Sequence, residues 1–239
     1  FIWKLEFSDV FKEKGGFDVV IGNPPYKFLS GKGSPVKILE REGKIKEAKD
    51  LKKEFDSIAK KYSKSSAGCR DYYKWFTELG VSLLRLNGVF SYITPNTYLS
   101  LSNYQDLRKI IFEECKCLKI IDLGFDIFDQ PVVPSAIFVV SKSNAESRSA
   151  EIYYADLKVF SNSDLKKYGV DILWKENCLK IKYYDGKLLL YKHPIAEKIY
   201  LGISSTIEDV VSISEGEHSL NNDFSEEFKA GLPVIFDKA

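Results

Sequence analysis

The chain has 239 residues, 44% apolar and 14% aromatic, enough to pack a core in one large domain or in one and a half smaller ones. Lys and Arg number 35 against 34 Asp and Glu, so the formal charge of +1 argues neither for nor against nucleic acid. There is no apolar run of about eighteen residues and no signal-peptide pattern, which argues against membrane or secretory placement and for the cytoplasm.

Taken in chain order, Phe17 to Gly22 reads as a buried strand, and it stops abruptly at Asn23-Pro24-Pro25-Tyr26. Two consecutive prolines lock φ and remove two backbone donors, so neither a helix nor a paired central strand continues through them. The tetrad therefore holds a carboxamide, carbonyls and an aromatic ring at a strand's carboxyl end, where open α/β sheets bind ligands. Gly31 to Pro35 follows as a flexible loop, and 36–62 is a charged stretch with helical spacing. Residues 31–64 carry eleven Lys/Arg and six Asp/Glu, a local net of +5 beside the tetrad. Such a stripe suits phosphates, and it equally suits a solvated helix laced with pairs such as Glu40–Lys44 and Glu42–Lys46.

Asp71 has the character of an N-cap for a helix reaching Leu86, with Tyr72, Phe76, Leu79, Leu83 and Leu86 on one stripe and Asn87-Gly88 as its stop. Val89 to Ile93 is a short strand, and Asn103 to Cys115 a helix carrying Leu107, Ile110 and Ile111. Leu118 to Leu123 and Ala136 to Val140 read as strands of an antiparallel hairpin joined by 124–135. This alternation implies a largely parallel sheet with right-handed crossovers. Beyond a polar stretch at 143–149, Glu151 to Ala155, Leu179 to Tyr184 and Lys187 to Tyr191 are strand-like. Cys69, Cys115, Cys117 and Cys178 show no C-x-x-C spacing, and His193 and His218 lie far from them, so reduced thiols are expected and no metal site.

A planar exocyclic amine needs acceptors for its two N–H groups. The Asn23 side-chain oxygen and a proline carbonyl provide them without a competing proton, and Tyr26 offers a face to the ring bearing the amine. A plain strand followed by a proline turn would look the same at this level.

The context is more specific. Phe1-Ile2-Trp3-Lys4-Leu5-Glu6-Phe7, Val10-Phe11 and the run from Gly15 through Tyr26 resemble amino-group DNA methyltransferases, nearest the adenine-N6 methylases of type IIG restriction-modification enzymes and related phage-defence methylases. The similarity continues through Asp71-Tyr72-Tyr73-Lys74-Trp75-Phe76 and Leu86-Asn87-Gly88-Val89-Phe90-Ser91-Tyr92-Ile93-Thr94-Pro95-Asn96, and covers about 1–142.

That resemblance implies an α/β fold: the carboxyl half of a Rossmann-like class I methyltransferase sheet, mostly parallel with a terminal antiparallel hairpin, then the start of an α+β or β recognition domain. The implied division is 1–142 catalytic, 143–200 connecting, and 201–239 opening the target-recognition domain from the strand at 207–216. The implied reaction moves a methyl group from S-adenosylmethionine to the N6 amine of an adenine in double-stranded DNA; cytosine N4 presents the same kind of amine. Asn23 and Pro24 would accept the amine's protons, Tyr26 would stack on the flipped base, and Phe128 would take its other side, with Phe125 the nearest competitor. Phe128 could instead plug the core beneath its loop, and Tyr26 could be a turn aromatic packed on its own domain.

The resemblance also implies a marginal part for Pro25 in cofactor binding. The main cofactor site, a Gly-rich turn after a strand, is expected upstream of this chain, because Gly15-Gly16 precedes a strand instead of following one. The chain alone is thus expected to lack most of that site and to be inactive as a fragment. An upstream nuclease segment in the parent polypeptide would mark a restriction-modification enzyme as opposed to a stand-alone methylase. Two other classes share the tetrad or the setting: glutamine-amide or RNA-base methylases, and a non-catalytic DNA-binding scaffold of a defence complex.

Overall fold

The computed structural model describes residues 2–26, 29, 33–125, 127–128, 133–143, 151–184 and 186–189. All of these fall within one compact unit spanning 1–192. The expected strand at 207–216, the 201–239 segment and both histidines lie outside the described residues.

Two short helices, α1 (Trp3–Glu6) and α2 (Ser8–Lys14), lead into β1 (Phe17–Gly22). The charged stretch forms α3 (Pro35–Arg41) and α4 (Ile45–Lys61). The Ser34 hydroxyl caps α3 by accepting from Lys37 N, with Pro35 at the first helical position. The single helix expected over 36–62 is broken because Gly43 adopts a left-handed φ of 75°. The pairs Glu40–Lys44 and Glu42–Lys46 are accordingly not formed. Lys37 instead pairs with Glu40 at 2.7 Å, and Lys44 with Glu42 at 2.7 Å across the turn.

The next helix, α5 (Tyr72–Leu83), ends three residues before the expected Leu86, and β2 (Leu84–Pro95) begins at once. Its buried residues are Tyr73, Lys74, Trp75, Thr77, Gly80, Val81 and Leu83, while Phe76 is 37% exposed and Tyr72 and Leu79 are half-buried, so the stripe read from the sequence meets the buried face fully only at Leu83. The reason is that α5 is covered on two sides. Tyr73 and Val81 join the main core, and Trp75 packs with Leu29, Phe55 and Ala59 beneath the α3–α4 hairpin. The expected helix over 103–115 is a short α6 (Gln105–Arg108) that continues as a π-helical stretch, Lys109–Glu114, burying Leu107, Ile110, Ile111 and Phe112.

Then come β3 (Cys115–Gly124), β4 (Ser135–Lys142), β5 (Glu151–Asp156), α7 (Asn162–Tyr168), α8 (Val170–Asn177), β6 (Cys178–Tyr184) and β7 (Lys187–Leu189). The strands form one sheet in the order β1-β2-β4-β3-β5-β6-β7. β1–β2 and β3–β5 are parallel pairs and the other four are antiparallel, so five strands point one way, with β4 and β6 against them. The antiparallel β3–β4 hairpin is present, but it is not terminal: β5 hydrogen-bonds onto the outer edge of β3 and extends the sheet. Strand hydrogen bonding therefore runs on past 142 into the segment expected only to connect.

The main core lies on one face of the sheet and includes Ile120; its neighbour Ile121 belongs to a second core with Leu165 and Leu173 of α7 and α8. Successive strand residues point to opposite faces, so helices cover the sheet on both sides. β1 is less buried than expected. It pairs only with β2 among the described strands, and Val19 and Ile21 are 61% and 78% exposed. Among the described residues, no helix is long and apolar enough to cross a membrane.

Candidate active site

β1, β2, β3 and β5 run in the same direction, so their carboxyl ends share one edge of the sheet. The tetrad leaves β1 at that edge. Gly22 pairs with Tyr92 of β2, and a Cβ at Gly22 would sit 3.1 Å from the Tyr92 ring, so the glycine lets the strand end pass close by. Asn23 and Pro25 are exposed and Pro24 is buried. Asn23 is thus open to solvent, while Pro24 beside it is packed in place.

Tyr26 is half-buried, and its hydroxyl donates to the Ile93 carbonyl of β2 at 2.9 Å. Burial pushes that phenol up to about 12, so it remains a neutral donor at physiological pH. Its ring meets Phe128 edge to face, with centroids 6.2 Å apart and planes at 69°. Of the two aromatics between β3 and β4 considered for this role, Phe128 therefore reaches Tyr26, while Phe125 is 62% exposed. As they stand, the rings touch each other and leave no slot between them.

Residues beyond the tetrad complete the edge. Asp122, near the end of β3, is 2% exposed. Its carboxylate accepts from Asn96 Nδ2 at 3.0 Å, Gly124 N at 3.4 Å and the Tyr154 hydroxyl at 3.4 Å, and Lys158 Nζ lies 3.3 Å away. Asn96 N also donates to the Pro134 carbonyl at 2.9 Å. Asn96 and Asp122 together hold both ends of the loop that carries Phe128. Asn96 stands in the resembling stretch, but nothing in the sequence marked Asp122, which reads as one polar residue in an apolar strand.

On the other side, the amino end of α5 meets the turns after β2. The Tyr73 hydroxyl is 3.0 Å from Thr97 Oγ1, and the Tyr73 and Tyr104 rings stack at 5.8 Å. Asp71, at the N-cap position, makes no side-chain cap; it is buried, its Oδ1 has no hydrogen-bond partner among the described residues, and desolvation pushes its carboxyl up to about 6. Lys74 is fully buried, yet its ammonium reaches the Ala67 and Cys69 carbonyls at 2.8 and 2.7 Å and Asp106 at 2.8 Å. Leu29 N donates to the Arg70 carbonyl at 3.0 Å, which ties the chain just past Tyr26 to this segment.

Gly15 and Gly16 lie between α2 and β1, ahead of a strand and not after one. Among the described residues, no three His, Cys, Asp or Glu side chains gather as metal ligands; Cys69, Cys115 and Cys117 are buried.

The sequence compares with known proteins as follows. A protein of Methanocaldococcus jannaschii named as a type II restriction enzyme and methyltransferase is 31% identical over 155 residues, 65% of this chain and 11% of that protein. The Escherichia coli type II restriction enzyme and methyltransferase RM.Eco57I is 27% identical over 134 residues, 56% of this chain and 12% of its own length. The chain thus spans about a tenth of the length of these curated relatives. Among solved structures, a DrdV–DNA complex superposes with a TM-score of 0.53 at 17% identity, over 76% of this chain and 19% of that one, a likeness of fold. Residues 1–128, which include the tetrad, β2 and Phe128, match the profile described as Eco57I restriction-modification methylase, and with more than half of its 239 residues matched the chain belongs to that family.

Proposed function

We propose that this chain is the amine-presenting part of a site-specific DNA methyltransferase, which transfers a methyl group from S-adenosylmethionine to the N6 amine of an adenine flipped out of duplex DNA, in a restriction-modification or phage-defence system. The observation that carries the reading is the convergence at one sheet edge: an exposed Asn23 beside a buried Pro24, and a Tyr26 ring meeting Phe128 at 6.2 Å. Family membership supports the reaction class, and the strand order β1-β2-β4-β3 supports reading 1–142 as the carboxyl half of a class I methyltransferase sheet. On this reading 143–200 connects to a target-recognition domain beginning at 201–239, and Pro25 borders the cofactor.

The donor supplies an electrophilic methyl group; the residues of this chain act on the acceptor. Asn23 Oδ1 and the Pro24 carbonyl accept the amine's two N–H bonds, which turns the nitrogen lone pair outward. As the nitrogen becomes tetrahedral and positive, the same two oxygens, the negative ends of their C=O dipoles, stabilise the growing charge, a positioning and electrostatic contribution. Tyr26 and Phe128 take the two faces of the base. A base between parallel rings needs about 7 Å, two van der Waals spacings, so the rings must part and turn face to face to admit it.

Nucleoside mass spectrometry on unmethylated DNA, incubated with S-adenosylmethionine and the full-length protein, tests the reading. N6-methyladenine from wild type and none from Asn23→Ala is the expected result. A variant that methylates normally but binds DNA less tightly would remove Asn23 from the chemistry.

A further inference from the structure

The charges of α4 are largely sorted by side. At 3.6 residues per turn, Lys46, Lys49, Lys53 and Lys60 fall on one flank of the helix with Lys52 at its margin, whereas Glu47, Asp50 and Glu54 fall on the other together with Lys61. Lys53 pairs with Asp50 at 3.6 Å across the boundary. A helix made only for solubility would interleave its signs to form pairs three and four residues apart. Here Lys46, Lys49, Lys52 and Lys60 are exposed and have no carboxylate within ion-pair distance among the described residues. The one acid on this flank, Asp56, is taken by Arg70, which holds its carboxyl below the usual range.

Beside the basic flank lies a cleft of about 540 Å³ between α3, α4 and the segment around Arg70. Lys37, Arg41, Lys52 and Arg70 line it, Lys37 paired with Glu40, the single carboxylate among the described lining residues, and Arg70 with Asp56. Its wall also includes Leu29, three residues past Tyr26, so that part of the cleft lies within about 11 Å of the tetrad along the chain. Charges on one DNA strand are spaced about 3.4 Å along the helix axis, so that part of the cleft lies within reach of phosphates at most about three nucleotides from the tetrad.

We infer that the basic flank of α4 and this cleft seat the sugar-phosphate backbone of duplex DNA next to the flipped nucleotide. This rests on the methyltransferase reading and adds where the strand is held. The contacts are to phosphates, so they set position and salt dependence and carry no base sequence.

The test is the salt dependence of binding of a duplex oligonucleotide to the full-length protein, followed by anisotropy between about 50 and 200 mM salt. Replacing Arg41, Lys46, Lys49 and Lys52 together by Gln should lower the slope of log K against log salt by about 2 to 3.5, at about 0.9 for each phosphate that is no longer neutralised. Affinity at low salt should fall at least tenfold. A companion with Lys46→Arg, Lys49→Arg and Lys52→Arg should keep the wild-type slope, which separates the removal of charge from damage to the fold. Glu47→Gln with Glu54→Gln on the opposite flank should also keep it. A Gln variant with the wild-type slope, in a protein that still binds and methylates DNA, would overturn the inference and leave the methyltransferase reading standing. No duplex binding and no methylated base from wild type would overturn both.

Discussion

Asp71 and Asp122 are both buried aspartates beside the same sheet edge, 5% and 2% exposed, yet their surroundings are opposite. Asp122 is supplied with an amide, a hydroxyl, a backbone N–H and a half-exposed ammonium. Asp71 has the Tyr104 hydroxyl at 3.4 Å and the backbone N–H groups of Tyr72 and Tyr73 nearby but not closing a cap. One of its oxygens has no hydrogen-bond partner among the described residues, and burial pushes its carboxyl up to about 6. Depth alone does not decide what a buried carboxylate costs; the donors aimed at it do. The well-supplied aspartate anchors the loop that carries Phe128, and the poorly supplied one stands at the start of α5.

The largest expected effect comes from widening this contrast. Lys74→Ala removes a fully buried ammonium that favours the ionised form of Asp71 and pairs with Asp106. It should destabilise the fold by about 3–5 kcal/mol, read by denaturant unfolding, because Asp106 is left buried and uncompensated. The next test uses pH. Asp71 holds its proton more tightly folded, at about 6, than at its ordinary 3.8, so folding takes up a proton between those values. The sign follows: its ionisation costs the folded state roughly 3 kcal/mol above about pH 6, and the cost fades as pH falls below about 4. Asp71→Asn should therefore gain stability over wild type at pH 7 and lose that advantage at pH 4; an equal difference at both would show Asp71 to be unstrained.

Smaller effects sharpen the other side. Asp122→Ala leaves the half-buried Asn96 amide without its acceptor and should cost about 2 kcal/mol, with protease cleavage between 125 and 134 as a local readout. Tyr26→Phe removes only the hydroxyl bond to Ile93 and should cost about 1 kcal/mol while keeping the ring, so methylation should fall less than in Tyr26→Ala.

The tetrad was the most legible part of the chain, because two prolines after an apolar run restrict the backbone whatever surrounds it. Strand identity was legible too: β3 and β4 follow from their apolar runs, and only their ends extend beyond them. The helix boundary at Leu83 was not legible, because Leu84 and Leu86 continue helical spacing equally well. Pairing of Phe17 with Leu84 claims them for the sheet, and no local signal encodes that partner. Nor could spacing show that α5 is buried on two sides, since Trp75 turns toward a hairpin formed by residues earlier in the chain.

By itself the sequence determined the local chemistry: a stiff Asn-Pro-Pro-Tyr turn, apolar strands and the excess of lysine after the tetrad, all set by short-range sterics and composition. Only the tertiary structure decided which distant groups meet. It brought Phe128 rather than Phe125 to Tyr26, gave Asp122 its donors from Asn96, Tyr154 and Lys158, and extended the sheet beyond the β3–β4 hairpin with β5. Those outcomes depend on the register and order of strands far apart in the chain, where hydrogen bonding and burial are settled jointly and no single segment carries the answer.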